Sequence, residues 1–141
     1  MKPIIKKIKQ VMAVTVVTGL LLVSSPSLNA QKPKGLPWTA PATAIAVKNP
    51  VKSDVLSIKD GKALYIKNCQ SCHGDAGKGN GTKAKNLDIS CGDLSVTGIA
   101  KITDGELFWK MSQGRKPMPT FGKKLTDNER WSVINYMRTL K

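Results

Sequence analysis

A chain of 141 residues is long enough for one small domain with appendages and too short for several. Only 5% of its residues are aromatic, which excludes a core built mainly of large rings; a domain of this kind often relies on a metal or cofactor as a staple. The net charge of +14 fits general solubility, a partner with an acidic surface or an anionic membrane face. The basic residues are not interleaved with aromatics in the manner of a nucleic-acid module, so nucleic acid is set aside as a partner.

Residues 1–30 read as a targeting segment. Lys2, Lys6, Lys7 and Lys9 precede an apolar run from Val11 to Val23, then Ser24-Ser25-Pro26-Ser27 and Leu28-Asn29-Ala30. Basic, apolar and small residues in that order form a signal peptide, with a cut expected after Ala30. The run falls short of the ~20 residues that span a bilayer. An uncleaved N-terminal anchor is the alternative. No cysteine lies near the cut, which argues against a lipid anchor there. Export places the chain in the periplasm, an oxidising compartment. Removing this segment leaves 19 basic against nine acidic residues, a net charge of +10.

Residues 31–56 form a proline-rich extension, with Pro33, Pro37, Pro41 and Pro50 among alanines and lysines. Proline holds itself and the residue before it in extended conformations, so the extension reads as a semi-rigid tail or a strip along the domain surface. Trp38 is out of place in a free tail and is a candidate pin to the domain.

Residues 57–141 carry the domain. Three hydroxyl residues followed three positions later by an acid predict helix starts: Ser57 with Asp60, Thr103 with Glu106, and Thr126 with Glu129. The first helix runs towards Cys69. The second carries Leu107, Phe108 and Met111 at helical spacing and stops near Gly114; the third carries Val133, Tyr136, Met137 and Leu140. Together they predict an all-α domain. Gly74 to Gly81 is a loop. It lacks the Gly-Lys-Ser/Thr ending of a phosphate cradle, and only Asp75 and Asn80 could offer side-chain oxygens to calcium.

The chemistry sits in Cys69-Gln70-Ser71-Cys72-His73. C-x-x-C-H is the attachment pattern of a c-type heme. Two thiols at this spacing reach the two vinyl groups of one porphyrin edge, and the next residue brings an imidazole under the iron. Structural zinc needs four ligands, and Cys91 is the only other cysteine and His73 the only histidine. A thioredoxin-like site would need a βαβ setting. The cofactor is therefore one covalent heme c held by Cys69 and Cys72, with His73 on the iron. With a single histidine, bis-histidine ligation within one chain is impossible. Beyond residue 30 the methionines are Met111, Met118 and Met137. Met111 and Met137 fall on helical faces. Met118 lies between Pro117 and Pro119, where a stiff extended backbone can present a thioether at small entropic cost. Met118 is the distal ligand, and His/Met ligation raises the reduction potential, as suits an electron carrier.

The stretch from about Ser57 to Lys141 resembles the class I monoheme cytochromes c. The matching residues are Gly61 and Tyr65 before CQSCH, the segment from Gly114 to Phe121, and the ending from Trp131 to Leu140. The resemblance implies a small all-α fold wrapped around the heme, with the N- and C-terminal helices crossing where Gly61 and Tyr65 meet Val133 and Tyr136. The Pro37-Trp38 and Lys48-Asn49-Pro50 stretches resemble the leader of some bacterial periplasmic members. One departure stands out. The family often has a proline whose carbonyl accepts the proximal histidine N–H, and no proline occurs between His73 and Pro117. Cys91 occupies that neighbourhood, and another backbone carbonyl is expected to serve. Cys91 itself reads as a buried thiol, the alternative being a link to another chain.

The resulting expectation is an electron-transfer protein, not an enzyme, shuttling one electron at a time between respiratory redox partners such as an oxidase, a reductase or another cytochrome. A peroxidase or gas sensor would need an open iron site. Lys78, Lys83, Lys85, Lys116, Lys123 and Lys124 flank the ligand segments and could ring the heme edge for an acidic docking surface. A solvated face is the plainer alternative, and a peripheral membrane contact is a further partner in view.

Overall fold

The computed structural model describes residues 37–141; the signal peptide expected over residues 1–30 lies outside them. The elements in chain order are α1 (Ala42–Ile45), α2 (Val55–Asn68), α3 (Gln70–His73), a 3-10 turn (Ala84–Asn86), α4 (Asp104–Gln113) and α5 (Asp127–Met137). Among the described residues there is no strand, only an isolated antiparallel bridge between Arg115 and Met118.

Capping chemistry sets the helix ends. The Thr126 hydroxyl accepts from Glu129 N, and Glu129 Oε2 accepts from Thr126 N at 2.7 Å, a complete capping box for α5. Thr103 caps α4 through Glu106 N, and Gly114 ends that helix, both as expected. The start of α2 differs from expectation. Ser57 does not open the helix: Asp54 is the cap, its carboxylate accepting from Ser57 N at 2.9 Å while Ser57 Oγ accepts from Asp54 N at 3.1 Å. Aspartate caps as well as serine does, so the Ser57/Asp60 spacing was coincidental. The Ser57 N–H holds the Asp54 carboxyl below its ordinary pKa.

The α2/α5 crossing organises the domain. A Cβ on Gly61 would lie 1.9 Å from the Ser132 carbonyl oxygen, so only glycine permits this approach. Beside it the Tyr65 and Tyr136 rings meet with centroids 5.3 Å apart, and Val133 is fully buried. Helix α5 is buried along the whole stretch from Arg130 to Asn135, because α2, α4 and the extension cover it on different sides. Its polar groups are satisfied inside. Asn135 Nδ2 donates to Val51 O, Lys52 O and Ser57 Oγ, and Asn135 Oδ1 accepts from Asn49 Nδ2 at 2.8 Å. Arg130 stacks on Phe108, which in turn stacks on Trp131 at 4.0 Å, and its guanidinium donates to Ser112 and Asp127. Arg138 at the end of α5 binds Asp104, Ile99 O and Ile102 O, tying the preceding loop to α4.

The part of the extension described here is not a free tail. Thr103 Oγ1 donates to Ile45 O at 3.0 Å, Ala40 is buried, and Asn49 reaches α5.

Candidate heme site

Helix α2 delivers Cys69 at its C-terminal cap, and the single turn α3 carries Cys72 and His73 onto the same patch. The glycine-rich loop then folds back on that turn. Gly79 N donates to His73 O at 2.8 Å, Gly81 N to Cys72 O at 3.1 Å and Lys83 N to Ser71 O at 2.7 Å. A Cβ on Gly81 would sit 2.5 Å from the carbonyl oxygens of both Gln70 and Ser71, so the loop must be glycine to close this tightly. The buried Tyr65 hydroxyl donates to Gly74 O at 2.8 Å and pins the loop to α2; burial pushes that phenol up.

These residues face a cavity of about 400 Å³ whose lining is mostly apolar. Cys69, Cys72 and His73 line it, as do Met118, Pro117 and Pro119, together with apolar residues such as Leu107 and Phe121. The sequence-derived site residues therefore converge on one space although Met118 is 45 positions beyond His73. The backbone around Met118 is a tight turn rather than the extended strip expected from its prolines. Arg115 N donates to Met118 O at 3.0 Å and Met118 N to Arg115 O at 2.8 Å, with the Lys116–Pro117 peptide cis. Met111 and Met137 also line the cavity, but both are packed in the core, whereas Met118 is half-buried.

Electrostatics favour neutral ligands here. Burial pushes the His73 imidazole down to about 4, so it is neutral with a lone pair available to a metal. Burial, then the neighbouring Cys72, pushes the Cys69 thiol up to about 12. His73 Nδ1 and Asn68 Oδ1 are buried without a hydrogen-bond partner; native interiors leave few such atoms unpaired. A large apolar cavity, two thiols in a C-x-x-C spacing, an unprotonated imidazole and a thioether are the donor set that fits a c-type heme. Among the described residues no group of three or more His, Cys, Asp and Glu could hold a metal ion.

Three expectations need amendment. The carbonyl expected to receive the His73 N–H is not in place, since Nδ1 has no partner. Cys91 is half-buried on the cavity wall rather than a buried thiol, and no disulfide forms among the described cysteines. Of the six lysines all are exposed, but Lys78 is held by Ser95 Oγ at 3.0 Å and lies 3.8 Å from Asp93. Sequence reading missed Asn68 and Arg115 as cavity residues; Trp38, expected as a pin to the domain, also lines the cavity.

The family model described as cytochrome c oxidase, cbb3-type, subunit III matches residues 57–137. The chain belongs to this cytochrome c family. It is similar to cytochrome c6 of Bumilleriopsis filiformis, with 28% identity over 80 residues that cover 57% of this chain and 87% of the relative. Among solved structures it is similar to a chain of the Kuenenia stuttgartiensis reducing HAO-like protein complex, with a TM-score of 0.55 and 28% identity. That match covers 66% of this cytochrome and 46% of the other chain, so this cytochrome spans less than half of that relative's length. The all-α cytochrome fold and electron transport on a c-type heme follow from this membership.

Proposed function

We propose that this cytochrome carries a single heme c, joined through thioethers at Cys69 and Cys72 and ligated by His73 and Met118, and that it shuttles electrons between redox proteins without catalysing a reaction of its own. The convergence of all four residues on one apolar cavity carries the reading. One C-x-x-C-H and one histidine in the whole chain support a stoichiometry of one. When bound, the heme supplies a one-electron iron couple; the protein's contribution is to hold the ligands and exclude water. The loop bonds from Gly79 and Gly81 fix the peptides of His73 and Cys72. The apolar wall lowers the local dielectric and helps set the potential.

The remaining proposals concern context. The exposed Lys116, Lys123 and Lys124 form a basic surface suited to an acidic partner. Residues 1–30 act as the export signal and residues 31–56 as an extension of the domain at 57–141, placing the protein in the periplasm. Among the described residues no helix is long and apolar enough to cross a membrane.

The deciding experiment is heme retention under denaturation. Wild-type protein on a denaturing gel keeps heme-dependent peroxidase staining, and the double variant Cys69→Ala/Cys72→Ala loses it entirely. Heme that extracts from the wild type into acidic solvent sinks the covalent reading.

A further inference from the structure

Trp38 is where the extension meets the heme cavity. It lines that cavity together with Arg115 and Met118. The Arg115 guanidinium lies 4.7 Å from the Trp38 ring centroid, and Arg115 Nη1 donates to Pro37 O at 3.4 Å. Trp109 on α4 meets the Trp38 ring at a centroid distance of 6.4 Å and a tilt of 59°. The backbone of Arg115 is bonded in both directions to Met118, at 3.0 and 2.8 Å. A restraint on Arg115 is therefore a restraint on the residue that carries the thioether. Trp38 has a fixed place from which to act, because the extension is tied to the domain again at Ile45 through Thr103 and at Asn49 through Asn135.

We propose that Trp38 and Arg115 form a latch, in which the extension clamps the Arg115–Met118 turn and limits release of Met118 from the iron. The proposal rests on the reading of Met118 as distal ligand. It makes Trp38 a positioning residue: it acts through Arg115 and covers the same cavity. A Trp38 that merely fastened the extension to the surface would affect stability and leave the Met118 turn unaltered. The two roles differ in one observable. An external ligand such as imidazole enters the sixth position of the ferric iron only after Met118 has left, so its binding rate reports the population of the released state.

The test uses the purified heme-loaded protein and stopped-flow imidazole binding, with the unfolding midpoint measured alongside. Trp38→Ala should bind imidazole about tenfold faster than wild type, which corresponds to about 1.4 kcal/mol and lies within the range of a partly desolvated cation–π contact. Trp38→Phe, which keeps a ring under the guanidinium, should return the rate to within about twofold of wild type. If Trp38→Ala does not fold, Arg115→Gln is read in the same way. A wild-type rate in the variant that loses the ring or the guanidinium overturns the latch, whatever happens to the unfolding midpoint. Met118→Ala separates the two claims. Rapid imidazole entry in Met118→Ala with no acceleration in Trp38→Ala overturns the latch alone. Entry no faster than wild type in Met118→Ala overturns the ligand assignment and the latch with it.

Discussion

The two sides of the proposed heme cavity, proximal at His73 and distal at Met118, are built in opposite ways. The Cys69–His73 side is local: the thiols, the imidazole and the loop that braces them lie between Cys69 and Lys83, and main-chain hydrogen bonds join them over short sequence separations. The Met118 side is assembled from distant pieces. Its turn is short, its wall comes from α4 and the extension, and Trp38 reaches Arg115 across 77 positions of chain. The proximal side is thus set by the chain's immediate neighbours, while the distal side depends on the whole domain being folded.

The largest expected effect breaks the distal side outright. Met118→Ala should abolish the weak near-infrared charge-transfer band of a methionine–iron bond and lower the potential on the order of 0.1 V, given how widely axial ligands tune heme iron. Met111→Leu should leave both unchanged. Loss of the band in Met111→Leu instead would place the ligand on α4.

The proximal side is challenged by Gly81→Ala. The added methyl would meet two backbone carbonyls, which cannot swing away as a side chain would. A destabilisation of about 1–3 kcal/mol is expected in chemical denaturation. Because the strain falls on the proximal side, the methionine–iron band should persist in the folded protein; a variant that lost the band without losing stability would contradict the division drawn here.

A smaller effect concerns the outer surface. Reversal of Lys116, Lys123 and Lys124 to Glu should slow second-order electron transfer with an acidic redox partner and flatten its dependence on salt, since such steering is screened over ~8–10 Å at ordinary ionic strength. The heme spectrum should not move. Rates indifferent to both salt and charge reversal would reduce these lysines to a solvated face.

The smallest effect is on the α5 start, which supports both sides. The Glu129 carboxyl lies below its ordinary value of 4.5, first because of the Thr126 backbone N–H it accepts, then the Thr126 hydroxyl, with Lys67 of α2 adding to the shift. A depressed folded-state pKa contributes stability above the unfolded value and loses it as pH falls through the folded one. Thermal unfolding measured from neutral to acid pH should therefore show a shallower acid decline in Glu129→Gln than in wild type. Equal slopes would mean that the capping box contributes nothing to acid stability.

Legibility followed the same division. Gly61 with Tyr65, and the Thr103 and Thr126 caps were readable because each rests on contacts within a few residues or on a residue type that only one role explains. Gly61 is the instructive case: the resemblance implied a crossing at Val133 and Tyr136, and the 1.9 Å approach to the neighbouring Ser132 carbonyl oxygen supplies the physical reason for glycine. Ser57 misled because a second capping residue, Asp54, stood three positions ahead and took the role. Asn135 could not have been anticipated. An asparagine in a helix reads as a solvent residue until the elements around it bring Val51, Lys52, Ser57 and Asn49 to its amide.

By itself the sequence determined the cytochrome c resemblance, the helical class and the chain's basic character, since these depend on residue type and short spacing. It also singled out Met118 by its flanking prolines. Only the tertiary structure decided that Met118 shares a cavity with His73, that the His73 Nδ1 has no acceptor, that Lys78 is engaged by Asp93 and Ser95, and that the extension lines the cavity through Trp38. The cavity contacts join residues far apart in the chain, so they depend on how the whole domain packs rather than on any one element.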